Sequence, residues 1–395
     1  MATPKQVLIL GGGFGGLTSA NLIRKSLSQE ECQITVVDKN QHFMMGLVNL
    51  WILSGSRRLE DSQAALNKLQ DKRIKFLNDE VTSIDASENS VTTKTNHDKL
   101  KYDYLIIALG AEVAPELIDG FEDNDESCFN VYDAKQVPRL REKILSLKSG
   151  RVVVCIADIP YKCPPAPYEV SLLINDILVK NGTRDSIDLN MYVPTPIALP
   201  VAGPIMSQDV VNLLNNNHIN FHPLYKLKKV VDEKTIQFEN GSKTSYDVLV
   251  VIPPHQVPQV IKNSELLGDQ HWIYVDRFTL KTKYKNIFAI GDVTEIRLDK
   301  TTTIPKAGIF AEGEAKVVGQ QIINEIKSNN GDKEHTKFDG RGFCFMEIGD
   351  KKAGYIDADF YNEAGPTTRL DPPSDEFYQM KIDFERTKLN EWLIQ

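Results

Sequence analysis

The 395-residue chain has no apolar run approaching the roughly 18–20 residues that span a bilayer, so any membrane contact expected from the sequence is peripheral. It also lacks a block of Lys or Arg. With a net charge of −8 and a pI near 5.5, neither nucleic acid nor a polybasic anchor is expected as a main partner. The start, Met1-Ala-Thr-Pro-Lys-Gln6, has no cationic segment, apolar stretch and cleavage site in succession, so a cytoplasmic location is expected. Cysteine is scarce: Cys32, Cys128, Cys155, Cys163 and Cys344 are irregularly spaced. That excludes a secreted disulfide framework and a paired-CxxC zinc site, and no metal centre is expected. Sulfur in this chain is either buried filler or redox chemistry.

The N-terminus is more explicit. Gln6–Leu10 is an apolar strand that runs into Gly11-Gly-Gly13-Phe14-Gly15-Gly16, after which Leu17, Ala20, Leu22 and Ile23 recur at helical spacing. A second β-branched strand, Ile34-Thr-Val-Val-Asp38, ends in an acid 22 residues past Gly16. Strand, glycine loop, helix, strand and acid together specify a dinucleotide site. The glycines admit the pyrophosphate, the helix N-terminus meets its charge, and Asp38 takes the adenosine ribose. Two later motifs specify the nucleotide further. Tyr102–Gly110 is a buried strand ending in a small-residue turn, and Asn286–Asp292 is another, ending in Gly291-Asp292. In flavoproteins with two dinucleotide domains, such motifs mark where the chain leaves the FAD domain and where it returns. FAD is the expected cofactor, with Lys39, Val81, Ala108 and Ala307 expected beside these motifs. The helix near Pro305 would direct its N–H groups at the flavin pyrimidine, and Lys306 would add a charge there.

Between the two motifs a second βαβ-like unit begins with Val152–Ile156 and continues into a helical pattern from Val170 to Leu178. Its loop contains no glycine. Ala157-Asp-Ile-Pro160 offers no phosphate cradle, and Asp158 would repel a pyrophosphate, so NAD(P)H is not the expected reductant. Cys163-Pro-Pro-Ala-Pro-Tyr-Glu169 stands there instead, a thiol held by prolines that fix φ and remove donors. Glu169 either exchanges protons with that thiol or compensates the positive end of its helix.

The expected architecture is α/β: two Rossmann-like dinucleotide-binding domains, the second inserted in the first, plus a small C-terminal α+β domain. The limits are 1–112 and 279–328 for the FAD domain, 113–278 for the glycine-free domain and 329–395 for the last. The polar run 329–335 serves as linker or surface loop, and Gly342–Gly349 and Ala353–Tyr361 form a hairpin.

The Cys163–Glu169 run resembles the active-site loop of the sulfide:quinone oxidoreductases and of the flavocytochrome c sulfide dehydrogenase flavoprotein, both disulfide oxidoreductase-like flavoproteins. Glu126-Ser-Cys128-Phe is similar to the segment bearing that family's first cysteine, and Gly342-Phe-Cys344-Phe to the strand bearing its last. The resemblance implies that Cys163 and Cys344 form a redox pair over the flavin, Cys344 nearer to it. Sulfide or a related sulfur species would be oxidised there, and the electrons passed to a quinone. It places Cys128 near the flavin or the sulfide entrance; the residues themselves equally allow a loop thiol of no consequence. Cys155, among valines, is expected to be core. Phe343, Phe345, Phe360 and Tyr361 are candidates for a quinone wall or for core. Alternatives that stay open are a haem-protein acceptor, a type II NADH:quinone reductase and a non-catalytic redox-sensing flavoprotein; a homo-oligomer is also compatible with the sequence.

Overall fold

The computed structural model describes residues 3–95, 99–267, 271–299, 302–327 and 336–394; the run 329–335, expected as a linker, lies outside them. Strand β1 (Lys5–Leu10) leads into helix α1 (Phe14–Ser26), followed by β2 (Cys32–Asp38), β3 (Lys75–Asn78) and β4 (Tyr104–Ile107). The inserted segment supplies β5 (Cys128–Asn130), β6 (Gly150–Ile156), helix α2 (Ala166–Lys180), β7 (Ile187–Tyr192), β8 (Asn220–His222) and β9 (Val248–Ile252). The chain then returns as β10 (Ile287–Ala289) and helix α3 (Gly308–Lys327). It closes with β11 (Arg341–Gly349), β12 (Lys352–Asp359), β13 (Thr367–Ser374) and helix α4 (Asp375–Leu389).

The first sheet runs β10-β4-β1-β2-β3, parallel throughout, and the second β5-β9-β6-β7-β8, also parallel. The two orders are one plan used twice. In each sheet the central strand opens a βαβ unit, and in each an antiparallel meander precedes the strand beside it: residues 81–93 with 100–101 before β4, residues 227–245 before β9. Both faces of the sheets are covered, which is why β6 and β9 are apolar along almost their whole length. Cys155 lies in β6 as core, as expected, and Cys32 is buried too. The duplication puts residues 157–165 at the position in the second sheet that Gly11–Gly13 occupy in the first.

In the terminal part, β11, β12 and β13 form an antiparallel sheet. The hairpin β11–β12 matches the alternation of its sequence, with Cys344 opposite Ile356. Strand β13, which contains Pro372 and Pro373, has no such signature and occupies an edge, where missing N–H groups cost little. Helix α2 packs on β11, so the insert and the terminal sheet meet at the cysteines.

Candidate active site

A cavity of about 890 Å³ opens where the three parts converge. Its floor is the first glycine loop. Gly11 has φ +105, and a Cβ there would lie 2.2 Å from the Ala108 carbonyl oxygen. Gly16 does not line the cavity; a Cβ on it would meet the Gly11 carbonyl oxygen, so its role is to seat α1 against the loop. The first turn of α1 has neither a side-chain cap nor an acid, leaving its amides for an anion. Asp38 is held at the rim: Oδ2 accepts from the Gly12 N–H at 2.6 Å and Oδ1 from the Asn40 N–H at 2.7 Å. Gly13, Phe14, Gly15, Lys39, Val81, Ala108, Gly110 and Ala307 line the same cavity. So do Gly291 and Asp292, and burial pushes the Asp292 carboxyl up. That carboxyl accepts no hydrogen bond from the described residues, a gap that the hydroxyls of a ribityl chain would fill. The site fits FAD: an anion cradle, an acid for the ribose and an acid for the ribityl chain lie in sequence along one wall.

Two expected residues stand elsewhere. Lys306 lies in an extended run whose faces alternate, so Ala307 reaches the cavity and Lys306 points to the other side. Its ammonium donates to the carbonyls of Asp292 and Thr294 and sits 3.4 Å from the Trp272 ring centroid; burial brings its pKa down to about 8. Cys128 is also removed from the cavity. It is packed in the second core, 3.2 Å from the Tyr246 hydroxyl, because β5 pairs with β9 and turns it inward. Its thiol is pushed up by burial.

The sulfur pair is brought together. Cys163, with φ +55, sits in the turn before α2; its N–H donates to the Lys306 carbonyl at 2.7 Å and its carbonyl accepts from the Ala166 N–H at 2.9 Å. Cys344 comes from β11, and both free thiols line the cavity. Cys344 is the neighbour that acts most strongly on the Cys163 thiol. Cys344, burial and the nearby Glu169 carboxylate all push the Cys163 thiol up, while Lys381 opposes them.

Glu169 is buried, one turn into α2, and does not cap its helix. Its Oε1 accepts from the Glu347 N–H at 2.8 Å and from Lys381 Nζ at 3.0 Å, and Lys381 also donates to Glu347 Oε2 at 2.8 Å. Burial pushes Glu169 up, only partly offset by Lys381. Burial works against the Lys381 charge, but the two carboxylates outweigh it and hold the lysine above its ordinary value. Sequence reasoning missed both Glu347 and Lys381. The available signal was a lysine in α4 three residues before Phe384, with which it lines the cavity.

Phe343 and Phe345 line the cavity with Phe384, whereas Phe360 packs on Phe310 and Tyr361 on Phe278 and Phe338 as core. No helix among the described residues is long and apolar enough to cross a membrane, and no metal-ligating cluster occurs among them.

A doubly used parallel sheet with a thiol pair beside the first glycine loop defines a flavoprotein oxidoreductase of the disulfide-reductase class. A family model described as pyridine nucleotide-disulphide oxidoreductase matches residues 5–155. The sulfide-quinone reductase of Aquifex aeolicus is 29% identical over 90% of this chain and 84% of its own. The solved sulfide:quinone oxidoreductase from that bacterium superposes with a TM-score of 0.86 at 26% identity, covering 99% of this chain and 92% of that one. The type II NADH:quinone oxidoreductase of Staphylococcus haemolyticus is 32% identical over 81% of this chain and 82% of its own. The chain belongs to the sulfide:quinone oxidoreductase family of disulfide oxidoreductase-like flavoproteins.

Proposed function

We propose that this protein oxidises sulfide through Cys163 and Cys344 with FAD bound in the cavity, and delivers the electrons to a quinone. The observation that supports the reading is that both thiols line the wall of the cavity that the first glycine loop opens into, with Cys344 the strongest influence on the Cys163 thiol. In the oxidised enzyme the pair is a disulfide. Hydrosulfide bonds to Cys163 Sγ, the disulfide bond breaks, and Cys344 leaves as a thiolate. The sulfide sulfur is oxidised to the persulfide level as the disulfide takes up two electrons, and the proton passes to solvent or to Glu169. FAD, when bound, supplies a two-electron acceptor for the pair and a donor to the quinone. Phe343, Phe345 and Phe384 offer apolar faces for a quinone ring.

The 32% identity to a type II NADH:quinone oxidoreductase favours NADH as a second candidate donor. The start of α2 argues against it. Pro164, Pro165 and Pro167 carry no N–H, the Ala166 N–H is bonded to Cys163 O, and those of Tyr168 and Glu169 go to Pro165 O. A pyrophosphate would find no free donor there. Anaerobic titration of the purified holoenzyme, followed by flavin absorbance, separates the readings: sulfide bleaches the flavin and NADH leaves it oxidised. Bleaching by NADH alone refutes the sulfur assignment.

A further inference from the structure

Among the described residues, four lysines line the cavity and no arginine does. Lys39 pairs with Glu112 at 3.2 Å, Lys94 with Glu80 at 3.1 Å, and Lys381 with Glu169 and Glu347. Lys162 makes no ion pair and no hydrogen bond through its ammonium among the described residues. It is also the residue bonded to Cys163. Its backbone is pinned, since its carbonyl accepts from the Tyr132 hydroxyl at 2.6 Å, and its ammonium lies 5.6 Å from the centroid of that Tyr132 ring. The pinning fixes where the side chain starts, while the ammonium keeps all three of its donors.

Its surroundings do not cancel the charge. Tyr132 is a phenol that burial keeps neutral. His255, edge-on to Tyr132 at 5.2 Å, donates through Nδ1–H to the Pro253 carbonyl, and burial with the nearby Lys162 brings its pKa down to about 3, so it too is neutral. Burial pushes the pKa of Lys162 down, and Asp292 and Cys163 oppose that by favouring the charged ammonium; Asp292 acts through space and is not bonded to it. On the α2–β11 side of Cys163 stand Glu169, Lys381 and Glu347, whose formal charges sum to one negative. An approaching anion would be repelled from that side and drawn to the Lys162 side.

We propose that the Lys162 ammonium is the receptor for the anionic sulfur substrate, holding hydrosulfide against Cys163 Sγ. The inference rests on the sulfide-oxidising reading and adds the charge state of the substrate and the group that recognises it. Lys162 acts as a binding and positioning residue: it neutralises the anion on arrival, and no bond to it forms or breaks.

The test uses anaerobic stopped-flow reduction of the holoenzyme by a sulfide series in the wild type, Lys162→Met and Lys162→Arg. The Met variant, with FAD still bound, should need about tenfold more sulfide for half-maximal rate, as expected from loss of one charge-assisted contact, with a smaller change in the limiting rate. The Arg variant should recover most of the loss. A second measurement does not depend on turnover. The ratio of Cys163 alkylation by iodoacetate to that by iodoacetamide, read on the Cys163 peptide by mass spectrometry, should fall severalfold in Lys162→Met because only the anionic reagent uses the receptor. An unchanged sulfide dependence with an unchanged alkylation ratio overturns the proposal, as does loss of FAD as the sole effect. If sulfide fails to reduce the wild type, the sulfide reading falls, and the alkylation ratio still decides whether Lys162 receives anions at Cys163.

Discussion

Lys381 Nζ lies 3.0 Å from Glu169 Oε1, and the two side chains, from the last helix and from the helix that follows Cys163, are each only 2% exposed. With Glu347 at 2.8 Å on the other side, one cation joins two carboxylates behind the cysteine pair. Such a cluster is a poor source of stability compared with apolar packing, but breaking it leaves charge buried without compensation. It also couples the terminal sheet to the thiols, because Glu347 belongs to the same strand as Cys344.

Replacing Lys381 with Met should therefore destabilise the fold by about 3–5 kcal/mol, the usual cost of removing one member of a buried pair. Urea denaturation checks this. The double variant Lys381→Met, Glu347→Gln should recover part of the loss, since fewer buried carboxylates then lack a partner. Equal instability of the single and double variants would mean that packing, and not charge, is what Lys381 provides.

Glu169→Gln keeps the shape and the N–H···O bond from Glu347 but removes the proton carrier nearest the thiols. The expected result is flavin reduction by sulfide slowed by about 10²-fold or more, with little change in FAD content. Cys163→Ser and Cys344→Ser should each abolish the reduction and leave FAD bound. Wild-type rates in either serine variant would remove that cysteine from the chemistry.

Much of this site was legible because its determinants are local. Gly11–Gly16 and Asp38 are specified by strand, loop and helix within 40 residues, and the proline frame of Cys163 announces a rigid turn. The meeting of Cys163 with Cys344 was legible only through resemblance, since nothing local forces α2 against β11. Cys128 and Lys306 were misplaced for a different reason. Their neighbours suit either side of the chain, and the β5–β9 pairing and the run before α3 decide which side each faces. Lys381 and Lys162 acquire their meaning from what does or does not pair with them, a property of tertiary structure.

Glu314 gives a test through pH. It is buried on α3, its Oε2 accepts from the Gly291 N–H at 2.6 Å, and burial raises its pKa to about 8. A carboxyl raised in the folded state keeps its proton there while the unfolded chain has lost it. Its contribution is thus full below the ordinary value of about 4.5 and is lost as pH rises towards about 8. Glu314→Gln should flatten the dependence of Tm on pH over that window, with the largest gain at the alkaline end. Parallel Tm profiles for the two proteins would show that Glu314 does not titrate there.

Trp392 links the end of the chain to the cofactor site. Its ring meets Phe14 at 5.1 Å and Phe43 at 5.7 Å between centroids, both edge-on, and Phe14 is the side chain of the glycine loop itself. Polar contacts fix the segment in place: the Trp392 carbonyl accepts from Asn21 Nδ2 at 3.1 Å and the Glu391 carbonyl from Lys72 Nζ at 2.6 Å. Trp392→Ala would leave a cavity beneath the loop, at a cost of about 3–5 kcal/mol. Because the lost contacts bear on Phe14, part of that cost should appear as faster release of FAD, measured by the fluorescence of the freed flavin after dilution. Trp392→Phe retains an edge-on aromatic contact and should release FAD at a rate much nearer the wild type. If both variants lose stability while holding FAD as firmly as the wild type, the terminal segment braces the fold without bearing on the cofactor loop.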